Sequence, residues 1–201
     1  MDVPPEAFRA PPTSCRGAVR PDTSTDSATA TPPEDAFPAR VALCLHRAVA
    51  GTGVGPSSSD LPHVDLFIAP FDAANPPDDD ARIVRSWRLP VAACDWRTTI
   101  ASTPTAAIYW SATPTPAHRA LYLRLAQPRT LDDGRGLVEP LAAGNGWMIS
   151  RPDELVAEVR LAPADGAGAA TAVRIEVRED ATGSIAKFHL LETCERAKHD
   201  G

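Results

Sequence analysis

The chain has 201 residues, 43% of them hydrophobic, which is enough for one domain with a core. Its net charge of −6 provides no basic field to attract a phosphate backbone, so partners are expected to be protein or glycan, and nucleic acid is excluded. Twenty-one prolines argue against long helices, since each internal proline deletes a backbone donor and crowds the preceding turn.

Residues 1–38 hold eight prolines and few large apolar side chains. Such a segment buries too little surface to offset the entropy of ordering, and it reads as a disordered tail or linker. The opening MDVPPEAFRAPP lacks the basic start and apolar run of a secretory signal, and no window reaches the ~18 apolar residues of a membrane span. A soluble protein is expected, with its compartment open.

From Ala39 the pattern changes to alternation. ARVALCLHRAV puts Val41, Leu43 and Leu45 on one face and Arg40, Ala42, Cys44 and His46 on the other, the period of a strand. A glycine-, proline- and serine-rich loop, GTGVGPSSSDLP, leads to a second strand in HVDLFIAPF. After the turn NPPDDD, Ile83, Trp87, Leu89 and Val91 share a face that Arg85 interrupts, so Arg85 needs either a buried carboxylate such as Asp95 or an edge position. AAIYWSA and ALYLRLA read as further strands, and Asp133-Gly134 signals a hairpin into GLVEP.

Asn145-Gly146 reads as another turn, before the short run NGWMIS. SRPDELVAEVRL carries both strand alternation and a helix-capping pattern. AVRIEVRED, with Val173, Ile175 and Val177 inward, and SIAKFHLLE complete a meander. These runs predict an all-β domain over 39–194, an antiparallel sandwich of about eight to ten short strands, with a short tail at 195–201.

Several groups invite a chemical reading. Cys44 and His46 share one strand face, as do His63 and Asp65; if those strands were neighbours, four ligands could converge on a zinc ion. Asp72, Asn75, Asp78, Asp79 and Asp80 in one loop, with Asp132 and Asp133 at a hairpin tip, supply the oxygens calcium prefers. Tyr109, Trp110 and Trp147 are the candidates for a sugar-stacking surface.

Cys94 could act as a nucleophile only with a histidine in reach. GTGVG at 51–55 lacks the third glycine and the following helix of a phosphate loop. Cys15, Cys44, Cys94 and Cys194 form no CxxC pair and read as free buried thiols; in an exported protein Cys44 to Cys94 would be the first bridge to test.

The stretches RIVRSWRLP and ALYLRLAQPRTLDDGRGLVEP resemble uncharacterised bacterial β-sandwich modules of the C2-like or immunoglobulin-like kind, over residues 40–141. The resemblance implies a sandwich and brings no catalytic residues. Richness in Ala, Arg and Pro suits a GC-rich bacterial genome. The expected role is a non-catalytic interaction or structural module of an envelope or larger assembly. The alternatives are a carbohydrate- or calcium-binding accessory domain, or a hydrolase using Cys94 or a His-Asp pair.

Overall fold

A computed structural model describes residues 31–47, 61–102, 107–131, 136–180 and 183–191. Of the expected 1–38 tail, residues 1–30 lie outside the described residues, as do 195–201, Cys15, Cys194, GTGVG and Asp132–Asp133, whereas 31–38 are described and the first strand already begins at Phe37. Nine strands run in chain order: β1 Phe37–Arg47, β2 His63–Pro70, β3 Val84–Pro90, β4 Ile108–His118, β5 Arg129–Leu131, β6 Gly136–Ser150, β7 Glu154–Pro163, β8 Thr171–Asp180 and β9 Gly183–Leu190. One helix, α1 Trp96–Ser102, follows a 3-10 turn at Val91–Asp95, and a second 3-10 turn spans Ala120–Arg124.

The all-β class is borne out, but the sandwich, immunoglobulin-like or C2-like, is not. Antiparallel pairing runs β1-β2-β3-β4-β9-β8-β7-β6, and β6 then pairs with β1, so eight strands close into a barrel. A sandwich leaves edge strands on two sheets, whereas here β1 is hydrogen-bonded to β2 over Ala39–His46 and to β6 over Phe37–Arg47. Closure removes the unpaired amide rows that an open edge exposes.

Closure demands curvature, and β6 supplies it. Its register against β1 slips between Leu43 and Cys44, where Leu141 has no opposite number and Pro140 is tolerated. Further along, Gly144 and Gly146 lie so close to β7 that a Cβ would stand 2.0 Å from the Arg160 carbonyl oxygen and 1.9 Å from that of Glu158. Asn145-Gly146 is therefore the interior of a strand and not the expected turn; GLVEP and NGWMIS belong to one fifteen-residue element.

Val41, Leu43 and Leu45 point into the barrel as the alternation requires, joined by Val64, Leu66 and Ile68, by Trp87 and Leu89, and by Val173, Ile175 and Val177. With Trp110 and Phe188 edge to face at 4.9 Å, the interior is filled. An interior filled by side chains is one of the two usual states of an eight-stranded barrel. Ala93 and Trp96, just past β3, also join this core, so RIVRSWRLPVAACDW is a strand followed by a helical plug.

Arg85 finds Glu179 at 3.2 Å and Ser150 Oγ at 3.1 Å, not Asp95; Trp87 Nε1 also donates to Glu179, at 3.0 Å. Residues 154–163 form strand β7 without a helix.

ALYLRLA is not the expected strand. Its leucine alternation suggests a strand, but Ala120–Arg124 is a 3-10 turn whose amides are taken by the loop before β3: Ala120 N donates to Ala81 O at 2.9 Å and Leu121 N to Asp79 O at 3.0 Å. Arg40 fixes it from below, Nε donating to Leu123 O at 2.6 Å. The turn lies over the outer face of β1 and β2 and forms a second apolar cluster with Cys44, Phe67, Ala69, Tyr122 and Leu123. As a result β2 is buried on both faces, and its outward side chains, His63 and Asp65, are withdrawn from water.

Candidate functional site

Withdrawn polar groups must find partners, since burying them unpaired costs several kcal/mol of the order of a lost hydrogen bond or more. Strands β1 and β2 are neighbours, and their register sets His46 opposite His63 and Cys44 opposite Asp65, all four on the outer face. Asp65 reaches both imidazoles: His63 Nε2 lies 3.5 Å from Oδ1 and His46 Nδ1 lies 3.9 Å from Oδ2. The two rings meet edge to face at 4.8 Å between centroids. One ligand atom from each of His46, His63 and Asp65 falls within 4.8 Å of the others.

The orientation of His63 is fixed from behind. Its Nδ1 lies 2.7 Å from the Leu61 carbonyl oxygen, which can only accept, so Nδ1 carries the proton. In the neutral ring the Nε2 lone pair then faces the Asp65 carboxylate. Two acceptors facing each other at this distance are stabilised only by a proton or a cation between them. A backbone carbonyl holding the far nitrogen of a histidine is also the usual support for a metal ligand.

Cys44 does not join the group. Burial first, and the Asp65 charge second, push its thiol up to about 12. Three of the four residues anticipated for zinc thus converge, and the cysteine stays a packed thiol.

These groups form one wall of a cavity of about 440 Å³ between the barrel and the 3-10 turn. Tyr122 stacks on Phe67 at 5.3 Å, with His118 edge-on to Tyr122 at 5.7 Å. Val138 and Leu131 extend the apolar side. Ser86, on β3, is held by Thr115 Oγ1 at 2.6 Å and His118 Nδ1 at 2.7 Å, and it is sealed from solvent.

Arg88 lines the cavity too, and its Nε is buried with no hydrogen-bond partner among the described residues. It stands opposite Asp65 in the β2–β3 register, yet the Asp65 carboxylate is turned to the histidines.

The other sequence candidates among the described residues lie outside this group. Asp72 caps its own loop, accepting from Ala74 N at 2.8 Å and Asn75 Nδ2 at 3.0 Å, and the Asn75 side-chain bond leads the contacts that hold its carboxyl below the ordinary range. Asp79 pairs with Arg124, and Asp80 with Arg119 at 3.2 Å, ion pairs that fasten the 3-10 turn. Asp78 accepts Ala81 N through its backbone carbonyl.

Trp110 is in the barrel core, while Tyr109, one residue away, is outside under Lys187 at 5.4 Å. Trp147 is buried on β6, four strands from β4 in either direction round the barrel. The Cys94 thiol is pushed above its ordinary value, by burial first and then by Asp95, which favours the unreactive protonated form. Both Cys44 and Cys94 are free, so the bridge considered between them is not made.

Sequence reasoning missed Arg88, His118 and Tyr122. Arg88 and Ser86 share strand parity in RSWRLP, a usable signal, but no local pattern says that this face is covered.

No helix among the described residues is long and apolar enough to cross a membrane. No family model, no curated protein and no solved structure matches the chain.

Proposed function

We propose that this protein is a metal-binding module: His46, His63 and Asp65 hold a divalent first-row transition ion, zinc being the reference case, on the outer wall of the barrel. What carries the assignment is His63, whose Nδ1 is committed to the Leu61 carbonyl while Nε2 is turned toward the Asp65 carboxylate at 3.5 Å. A cation at that point resolves the facing lone pairs. Two imidazoles and one carboxylate suit zinc and its neighbours, whereas calcium prefers an all-oxygen shell. Three protein ligands leave a coordination position open, and the cavity lies beside it.

The role is one of binding, in line with the non-catalytic module expected from the sequence. Among the described residues, Ser86 is sealed beneath its neighbours, and burial followed by Asp95 pushes the Cys94 thiol above its ordinary value, away from the reactive thiolate.

Titration calorimetry with zinc chloride tests the assignment. One zinc per chain is expected, with a melting temperature raised by roughly 5–10 °C at a hundredfold excess over Kd. His63→Ala and Asp65→Asn lose the site, while Asp72→Asn, in the acidic loop, keeps it. Absence of zinc heat in the folded protein, or binding retained in both site variants, overturns it.

A further inference from the structure

We infer that the cavity takes an organic carboxylate, a small molecule with an apolar body and a carboxylate head that Arg88 holds beside the metal. The inference rests on the metal assignment above for the second contact to the head, and on Arg88 for the first.

The Nε of Arg88 is buried without an acceptor among the described residues, an unmet donor that carries a cost, while the half-buried side chain itself lines the cavity. The natural partner of Arg88 is Asp65, its opposite number in the β2–β3 register, and Asp65 is spent on the two histidines. No acceptor among the described residues meets this Nε, and because Arg88 lines the cavity, a ligand oxyanion there can supply one. The planar fork of arginine matches a carboxylate in a bidentate pair, which is both stronger and more selective than a neutral hydrogen bond.

The charge around the cavity points the same way. Arg82 and Arg88 line it, against the single carboxylate of Asp65, in a chain whose net charge is −6. A divalent ion at the triad adds further positive charge within reach of the same space, and the local field then favours an anion.

The body of the ligand is set by the opposite wall. Phe67 and Tyr122 are stacked nearly parallel, 18° between planes, and Val138 and Leu131 continue the apolar surface. A space of about 440 Å³ is of the size that holds small organic ligands and more than an inorganic anion needs. An apolar body on that wall and a charged head toward Arg88 satisfy both sides.

Benzoate is the probe, with benzamide as its neutral match, titrated into zinc-loaded and metal-free protein and followed by calorimetry. Benzoate is expected to bind, benzamide roughly tenfold or more weaker, and zinc loading to tighten benzoate. Arg88→Met is expected to cut benzoate affinity by a similar factor while leaving zinc affinity within about twofold, and Arg88→Lys to restore part of it.

Leu131→Trp, which adds bulk on the apolar side of the cavity, serves as a second test should Arg88→Met fold poorly; it too should weaken benzoate and spare zinc. Equal binding of benzoate and benzamide, or unchanged benzoate binding in Arg88→Met and Leu131→Trp, overturns the carboxylate site and leaves the metal assignment standing. Arg88-dependent benzoate binding in a protein that takes no zinc supports the carboxylate site and overturns the metal assignment alone.

Discussion

Replacing Gly146 by alanine asks the barrel to stay closed with a methyl group where β7's backbone already is. The new Cβ would lie 1.9 Å from the Glu158 carbonyl oxygen and 2.8 Å from the Val159 Cα, and ordinary contact begins near 3.4 Å, so the strands must part by 3.4 − 1.9 = 1.5 Å. Both neighbours are main chain, so no rotamer change relieves the clash. A ladder hydrogen bond at ~2.9 Å does not survive such a displacement. Losing one or two of these bonds costs about 1–3 kcal/mol and overpacking a further 1–3, against a gain of ~0.4–1 from the stiffer unfolded chain. The net is a loss of about 2–5 kcal/mol, a large share of the 5–15 typical of a domain.

Urea unfolding followed by fluorescence of the buried tryptophans measures it. With m of about 2 kcal/mol/M, the midpoint should fall by roughly 1–2.5 M. Gly166→Ala is the control, since that glycine has φ +70° and nothing within 4 Å of a Cβ. Only the left-handed backbone penalty of about 1–2 kcal/mol applies there. A Gly146→Ala midpoint at or above that of Gly166→Ala would refute the claim that close backbone approach at β6 shapes the barrel.

Acidification should destabilise the fold through the outer face of β8 and β9. Burial acts upward on the Glu176 carboxyl, but the Arg174 hydrogen bond and the charges of Lys187, Arg174 and His189 outweigh it and hold it below 4.5; burial first and then Lys187 hold His189 below 6.5. Both folded values are depressed, so the unfolded chain binds more protons: the His189 contribution is present above pH 6.5 and lost as pH falls below it, and that of Glu176 likewise about 4.5. Urea midpoints taken from pH 8 to 4 should fall, His189→Gln should flatten the first step, and a midpoint rising between pH 7 and 5 would contradict this.

In a Cys15→Ser, Cys194→Ser background, a thiol reagent at neutral pH should modify Cys94 slowly and Cys44 only on unfolding, because the Cys44 thiol is sealed and pushed up to about 12; prompt loss of both thiols would refute that burial. Arg40→Met removes the bonds to Leu123 O and Asn145 Oδ1 that tie the 3-10 turn to β1 and β6, and should lower stability by about 1–3 kcal/mol in urea melts, with no change expected if those bonds are incidental.

Much of this was legible in the sequence because alternation is a local property. Val41, Leu43 and Leu45 against Cys44 and His46, and Val173, Ile175 and Val177 against Arg174 and Glu176, are assigned correctly from period two alone. The pairs Cys44 with His46 and His63 with Asp65 also declare a shared face, which is most of the candidate centre. Closure was not legible: β1 meets β6 about a hundred residues later, and the feature that permits it, Gly144 and Gly146 against β7, looks locally like a turn.

Ala120–Arg124 fails for a related reason. Its leucines alternate, but its amides are claimed by Asp79 and Ala81 from a distant loop, so tertiary bonds override the pattern. Arg88 is invisible as a site residue until β2 and β3 are placed side by side.

X-ray absorption at the zinc edge on the zinc-loaded protein tests the centre most directly. A first shell of nitrogen and oxygen scatterers at ~2.0–2.2 Å is expected, with imidazole outer-shell signals that diminish in His63→Ala. A sulfur scatterer at ~2.3 Å, which would bring in Cys44, or a spectrum unchanged by His63→Ala, would contradict the assignment.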